Sequence, residues 1–213
     1  MIATSFTVGP FQENSYLVSD ASSREAVFIV PGDEGARLVL EVERSGVQLT
    51  AIWVTHGHLD HVGGIAALRS RWNVPVLLHP LDEPLYTSAS RQAAHYGVPF
   101  DQPPAPDGTL GEGDTLAVGA LRFGVIHVPG HSPGHVAFVG EGVVFGGDCL
   151  FAGSIGRTDL PLSNPADLER SLERLAALPA ATVVHPGHGP ATTIAEELAS
   201  NPFFNGAARI ARR

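Results

Sequence analysis

The sequence predicts an α/β fold, and three observations carry that prediction. Short apolar runs bounded by turn residues recur along the chain, as strands require. Stretches with helical apolar spacing follow several of those runs. The ends of the expected strands carry glycines beside His or Asp, so polar groups gather on loops held by a rigid scaffold.

The elements follow in order. Ile2 with Ser5–Val8, then Tyr16–Val18, then Ala26–Val30 read as a β meander, separated by turn signals at Gly9-Pro10, Asn14-Ser15 and Asp20–Ser23. Pro31-Gly32-Asp33 ends the third run, and Ala36, Leu38, Val39, Leu40 and Val42 suit an amphipathic helix that stops near Gly46. Ala51–Val54 is a short buried strand, and Ile65, Ala66, Leu68 and Trp72 start a helix behind it. Val74–His79 is a further strand. Residues 80–114 are broken by Pro80, Pro84, Pro99, Pro103, Pro104 and Pro106 into short helical turns and loop, which suits either a substrate-facing lid or an ordinary surface excursion. Strands return at Leu116–Val118, Leu121–Val128, His135–Val139 and Val143–Phe145. A helix is expected from Pro165 to about Leu178, with Asn164 as its N-cap and Pro165 at the first helical position. Thr182–His185 is a last strand, Thr192–Ala199 a last helix, and Arg209–Arg213 a solvated tail.

At 213 residues the chain is expected to form one domain, with length enough for a substantial core. The formal charge is −9, and every basic residue is Arg. An acidic chain without a basic run is a poor partner for nucleic acid or an anionic membrane. No apolar run approaches the ~18 residues of a membrane span, and no secretory leader is evident. One cysteine, Cys149, rules out an internal disulfide, and these points together favour the cytoplasm. The number of chains in the assembly is not legible.

The most informative stretch is His56-Gly57-His58-Leu59-Asp60-His61. Four such positions match by chance roughly 10⁻³ times in a chain of this composition. His56 and His58 are two apart, so in extended backbone they project to one side. Asp60 and His61 follow where the chain bends and face a neighbouring point, which suggests two metal positions. Three later turns repeat the theme: Val128–His135, Phe145–Cys149 and His185–Pro190. Imidazoles and carboxylates are good ligands for Zn²⁺ and also serve Fe or Mn.

These motifs, in this order, resemble the metallo-β-lactamase superfamily and within it the short bacterial glyoxalase II-like proteins. The resemblance rests on the H-x-H-x-D-H run, Pro-Gly-His131-Ser-Pro-Gly-His135, Gly-Gly-Asp148, the segment Phe151–Asp159 and Pro-Gly-His188-Gly. It covers nearly the whole chain and implies a single metallo-β-lactamase-fold domain over 1–213, a four-layer αββα sandwich with metals in the cleft between two sheets. It implies that His56, His58 and His131 hold one divalent ion, that Asp60, His61 and His188 hold a second, and that Asp148 bridges them, zinc being the first expectation. The implied reaction is hydrolysis of a small thioester of the S-D-lactoylglutathione type by a metal-bridging hydroxide, with Asp60 also aiming the nucleophile. The alternative in the same superfamily is a mononuclear-iron persulfide dioxygenase acting on glutathione persulfide, a family that commonly has Cys where this chain has His135. On this reading the chain lacks the C-terminal helical extension of full glyoxalase II enzymes. Gly189-Pro190 and Val30 stand where those commonly have an aromatic and an Asp.

Other polar residues take supporting roles. His135 suits a hydrogen bond behind the ligands better than ligation. His185 suits a satisfied core position, and His79, His95 and His127 lack a partner motif. Cys149 suits a buried small residue. Arg157 suits either a substrate carboxylate or an internal pair with Asp159.

Overall fold

In a computed structural model, which describes residues 1–210, two six-stranded sheets pack face to face with helices on both outer surfaces. In the first sheet β1 (Ile2–Val8), β2 (Glu13–Ser19) and β3 (Glu25–Ile29) form the expected antiparallel meander. α1 (Gly35–Ser45) then crosses to β4 (Gln48–Trp53), which runs parallel to β3. α2 (Ile65–Arg71) crosses to β5 (Val76–Leu78), again parallel. The proline-rich stretch forms the expected short helical turns, a 3₁₀ turn at Pro80–Asp82, α3 (Glu83–Thr87) and α4 (Ala89–Tyr96), and adds the edge strand β6 (Gly108–Thr109).

The second sheet begins with an antiparallel run of β7 (Thr115–Val118), β8 (Leu121–His127), β9 (Val136–Gly140) and β10 (Val143–Gly147). A small hairpin follows, β11 (Leu150–Phe151) with β12 (Ser154–Ile155). α5 (Pro165–Ala176) leads to β13 (Val183–Pro186), which lies parallel to β10. β14 (Thr192–Thr193) closes that edge, and α6 (Ile194–Ser200) follows.

Three apolar layers hold the four structural layers together. Leu38 and Val42 of α1, with Ile65 and Leu68 of α2, pack on Phe28 and Ile52 of the first sheet. Their i, i+4 and i, i+3 spacings give each helix one apolar stripe. Between the sheets, Trp53 meets Phe123 and Phe138 with ring centroids 5.7 and 5.3 Å apart, beside Val27, Ile29, Val125 and Phe145. On the far face Leu168, Leu172 and Leu175 of α5, with Ile194 of α6, cover Val144 and Val184. Ala26–Ile29 are buried on both faces, which is why that strand is a continuous apolar run without alternation.

Helix ends follow local chemistry. Gly46 terminates α1 with φ 63°, a left-handed cap that glycine adopts without a Cβ penalty. Asn164 caps α5 by accepting from the N–H groups of Ala166 and Asp167. Thr193 and Glu196 form a reciprocal capping box at α6.

The structure corrects several sequence expectations. Asn14 and Ser15 lie within β2 and not in a turn. The last helix begins at Ile194, because Thr192 and Thr193 pair with β13 first. Ile210 is buried against the α5–α6 layer, so the tail expected to be solvated packs at that point; residues 211–213 of that expectation lie outside the described residues. Among the described residues no helix is long and apolar enough to cross a membrane.

Candidate metal centre

The site lies where the two sheets meet at one end. β4 runs into the turn that carries His56, His58, Asp60 and His61. The loop before β9 carries His131, the end of β10 leads to Asp148, and the end of β13 leads to His188. Parallel packing of β4 in one sheet and of β10 with β13 in the other brings these ends to a common rim.

The nominated side chains converge. His56, His58 and His131 form one group of close ligand atoms, Asp60, His61 and His188 a second, and His56, His61 and Asp148 a third that joins them. Within each group the ligand atoms lie within 4.8 Å of one another. His58 Nδ1 and His131 Nε2 are 3.0 Å apart. The Asp148 carboxylate stands 3.4 Å from His61 Nε2 and 3.5 Å from both His131 Nε2 and His188 Nε2, so it faces both outer groups. Asp60 Oδ2 is 3.4 Å from His188 Nε2 and 3.8 Å from His61 Nε2.

Surrounding groups aim the rings. His131 Nδ1 donates to the Arg157 carbonyl at 2.9 Å, and His188 Nδ1 to the Phe11 carbonyl at 3.1 Å, which leaves each Nε2 facing the centre. His135 lies behind the cluster, where its Nε2 accepts from the Asp148 N–H at 3.1 Å. The first sheet also grips the His188 loop directly. Asn14 N donates to Gly187 O, Asn14 Nδ2 to Gly189 O, and the Tyr16 hydroxyl to Pro186 O. Glu13 is buried, with one oxygen 3.8 Å from His61 Nδ1 and the other accepting from Ser15.

The electrostatics suit cations. Burial, reinforced by His131, pushes His58 down to about 3, so its imidazole is neutral and able to donate a lone pair. Burial and His61 likewise lower His56. Burial opposes the charge on Asp148, but His61 and the hydrogen-bonding His188 outweigh it and hold the carboxyl well below its usual range. Burial also disfavours charge on His188, yet Asp148 and Asp60 override it and raise that ring to about 11, so the two carboxylates draw positive charge to this point. Neutral imidazoles and ionised carboxylates are the protonation states in which such groups bind metal, so His56, His58 and Asp148 are poised to ligate, while His188 would give up its proton to a cation that takes its place.

Buried polar atoms are nearly always paired, yet His56 Nε2, both His61 ring nitrogens and Asp148 Oδ1 have no hydrogen-bond partner among the described residues. All belong to the group that joins the two outer clusters. The donor set therefore fits divalent cations, and the arrangement is that of a binuclear metal site.

Comparison with known proteins agrees. Residues 8–188 match the family described as the metallo-beta-lactamase superfamily. The chain belongs to the metallo-β-lactamase superfamily. One relative within it is the hydroxyacylglutathione hydrolase GloC of Haemophilus influenzae, 37% identical over 93% of this chain and 95% of that protein. The crystal structure of TTHA1623 in a di-iron-bound form superimposes with a TM-score of 0.88 at 48% identity, covering 94% of this chain and 99% of the other. The BLEG-1 B3 metallo-beta-lactamase superimposes at 0.90 with 35% identity, over 96% and 100%. The two-sheet sandwich with outer helices is the superfamily fold.

The remaining nominated residues lie as follows. The Arg157 side chain is more than half exposed and makes a fork pair with Asp159, at 2.6 and 2.8 Å. Cys149 is buried, and burial raises its thiol far above the usual range. His185 stacks on Phe145 at 4.9 Å, and His79 stacks on His127 at 4.5 Å. Phe11 meets Tyr96 edge-on at 5.4 Å and Phe151 meets His188 at 5.9 Å. A cavity of about 530 Å³ opens beside Asp60, walled by Phe11, Leu59, Val98 and Phe100. Three supporting residues escaped sequence reasoning: Glu13, Asn14 and Asp82. The Asn14-Ser15 pair carried turn propensity that masked a strand, and every group that the Asp82 carboxylate binds lies 25 or more residues away in sequence.

Proposed function

We propose that the protein is a metal-dependent hydrolase of small thioesters of the S-D-lactoylglutathione type. The observation that carries this reading is the pair of outer clusters, each with three donors, joined through His56, His61 and Asp148. On this reading His56, His58 and His131 would hold one ion, Asp60, His61 and His188 would hold the other, and Asp148 would serve both. Two such ions, zinc being the first expectation and iron or manganese suitable, supply Lewis acidity and make water nucleophilic at neutral pH. The similarity to a hydroxyacylglutathione hydrolase supports the substrate class.

The chain's own residues then orient the reactants. Asp60 is 18% exposed in its side chain, so its carboxylate can accept a hydrogen bond from the attacking water and aim it. Phe11 and Phe151 both contact His188, and Tyr96 packs on Phe11, so these rings offer apolar surface beside the second cluster for the acyl and thiol chains. The Arg157 carbonyl bonds His131, so this residue lies beside the first cluster, and by exchanging its Asp159 partner its fork would bind a substrate carboxylate. The intact Asp60, His61 and His188 set favours a binuclear hydrolase over the mononuclear-iron dioxygenase.

Metal analysis paired with turnover of lactoylglutathione and glutathione persulfide tests the proposal. The expected result is two metals per chain with thioester hydrolysis, both lowered in His58→Ala. One iron per chain with oxygen uptake on the persulfide would reverse the assignment. A His58→Ala variant with parental metal content and rate would refute the site.

A further inference from the structure

We infer that Asp82 is a positioning residue of the metal centre, whose carboxylate ties the His56–His58 turn to the His131–His135 loop and so sets the spacing of the first ligand cluster. This rests on the binuclear reading above.

Asp82 is fully buried in the 3₁₀ turn that opens the proline-rich stretch. Its Oδ2 accepts from the Gly57 N–H at 2.8 Å and from the Ser132 hydroxyl at 2.7 Å. Its Oδ1 accepts from the Gly134 N–H at 2.5 Å. Gly57 is the residue between His56 and His58, while Ser132 and Gly134 lie between His131 and His135. Every one of these donors therefore belongs to a turn that carries a ligand or supports one. The partners lie 25, 50 and 52 residues away, on strand ends of different sheets, so this carboxylate is a direct link between the two halves at the metal site.

Close packing makes the link rigid. A Cβ on Gly57 would stand 2.7 Å from Asp82 O and from Tyr86 N. A Cβ on Gly134 would stand 2.6 Å from Asp82 N and 2.9 Å from His79 Nδ1. Both turns thus approach the 3₁₀ turn backbone to backbone, which only glycine permits. The turn is itself braced by His79, whose Nδ1 accepts from Leu81 N, and by Pro80 at its first position. The consequence appears on the ligand side, where His58 Nδ1 and His131 Nε2, one from each turn, stand 3.0 Å apart. Burial favours the neutral acid and raises the Asp82 pKa, against the Ser132 hydroxyl and the two N–H groups that favour the anion.

A residue that only held the fold together would weaken the metal-free protein and both clusters alike. A positioning residue acts on the first cluster alone. Asp82→Asn keeps the shape but turns an amide NH₂ toward one of the donors, and Ser132→Ala removes a single bond without touching a ligand. The test titrates cobalt(II) into metal-free parent and both variants, reading visible absorption and affinity by chelator competition. His58→Ala and Asp60→Ala identify the bands of the first and second clusters. Asp82→Asn is expected to weaken the first-cluster ion roughly 10–100-fold, as losses behind a metal ligand typically do. Ser132→Ala should weaken it less, with the second-cluster ion unchanged and the metal-free unfolding midpoint of Ser132→Ala lowered only as far as the loss of one buried hydrogen bond lowers it. If Asp82→Asn does not fold, Ser132→Ala decides the matter by the same reading. Parental affinity at the first cluster in the folded variants overturns the inference, as does equal weakening of both clusters with a lowered metal-free midpoint. A parent protein that binds no cobalt overturns the binuclear reading and this inference together, a result distinct from variants that bind as the parent does.

Discussion

Gly187→Ala adds one methyl group against the side chains of two nominated ligands, His61 and Asp148. An alanine Cβ there would stand 2.8 Å from His61 Cε1 and 3.2 Å from the Gly147 carbonyl carbon, and closest of all to Asp148 Oδ1. Carbon atoms in contact sit about 3.5–4.0 Å apart. The His61 ring must therefore withdraw by roughly 1 Å, and the Asp148 carboxylate by at least as much. The backbone is not free to yield in their place. Gly187 N donates to Gly147 O at 2.9 Å, and Gly187 O accepts from Asn14 N at 2.7 Å. Gly187 is not among the left-handed glycines, so alanine meets no backbone strain and the insult falls on the site. A misplacement of ~1 Å at reacting groups costs about 10²-fold in rate. Thioester hydrolysis should fall by that order and metal content should drop below two per chain. Overpacking adds a stability cost of about 1–3 kcal/mol. Gly146→Ala is the control two residues before Asp148, since a Cβ there finds its nearest neighbour, Val184, at 3.9 Å. Steady-state turnover, metal analysis and thermal unfolding measure the three effects. A Gly187→Ala protein with parental metal content and rate would refute the crowding argument.

Two further outcomes concern stability. Asp20 accepts from the Ala120 and Ser22 N–H groups and from two serine hydroxyls, and these hold its carboxyl down to about 2. Its contribution is therefore full above the unfolded value of ~3.9 and is lost as pH falls through about 2. Urea unfolding should show Asp20→Asn less stable than the parent at neutral pH, with the gap closing between about pH 4 and 2; a gap that does not change with pH would disprove the assignment. Asn164→Ala removes the cap that accepts from two N–H groups of α5. It should cost about 1 kcal/mol, read as a lower unfolding midpoint with the metal content unchanged, and a midpoint equal to the parent's would show that the cap carries nothing.

Local chemistry made much of the fold legible. The Asn164-Pro165 start of α5 and the Gly46 end of α1 could be read because a cap is decided by neighbours within a turn. The run from His56 to His61 stood out because two imidazoles two apart in extended backbone must share a side. Asn14 misled for the opposite reason. Its turn propensity is a local preference, overridden by pairing with β1 and by bonds to Gly187 and Gly189, on the far side of the chain. Asp82 and Glu13 carried no signal, since a lone carboxylate in a polar stretch looks solvated until its distant donors are known. Arg157 left two options in the sequence; its side chain pairs with Asp159, two residues on.

By itself, then, the chain specified its longer strands, its helices and the ligand types, because each follows from periodicity, capping and side-chain chemistry over a few residues, while the two-residue strands β6, β11, β12 and β14 are too short to carry a pattern. Only the tertiary structure decided that His56, His131, Asp148 and His188 share one focus, that Asp148 faces both outer clusters, and that Glu13, Asn14 and Asp82 brace them. The physical reason is range: residues 50 to 175 positions apart meet only through the packing of two sheets, and no short window of sequence contains both sides of such a contact.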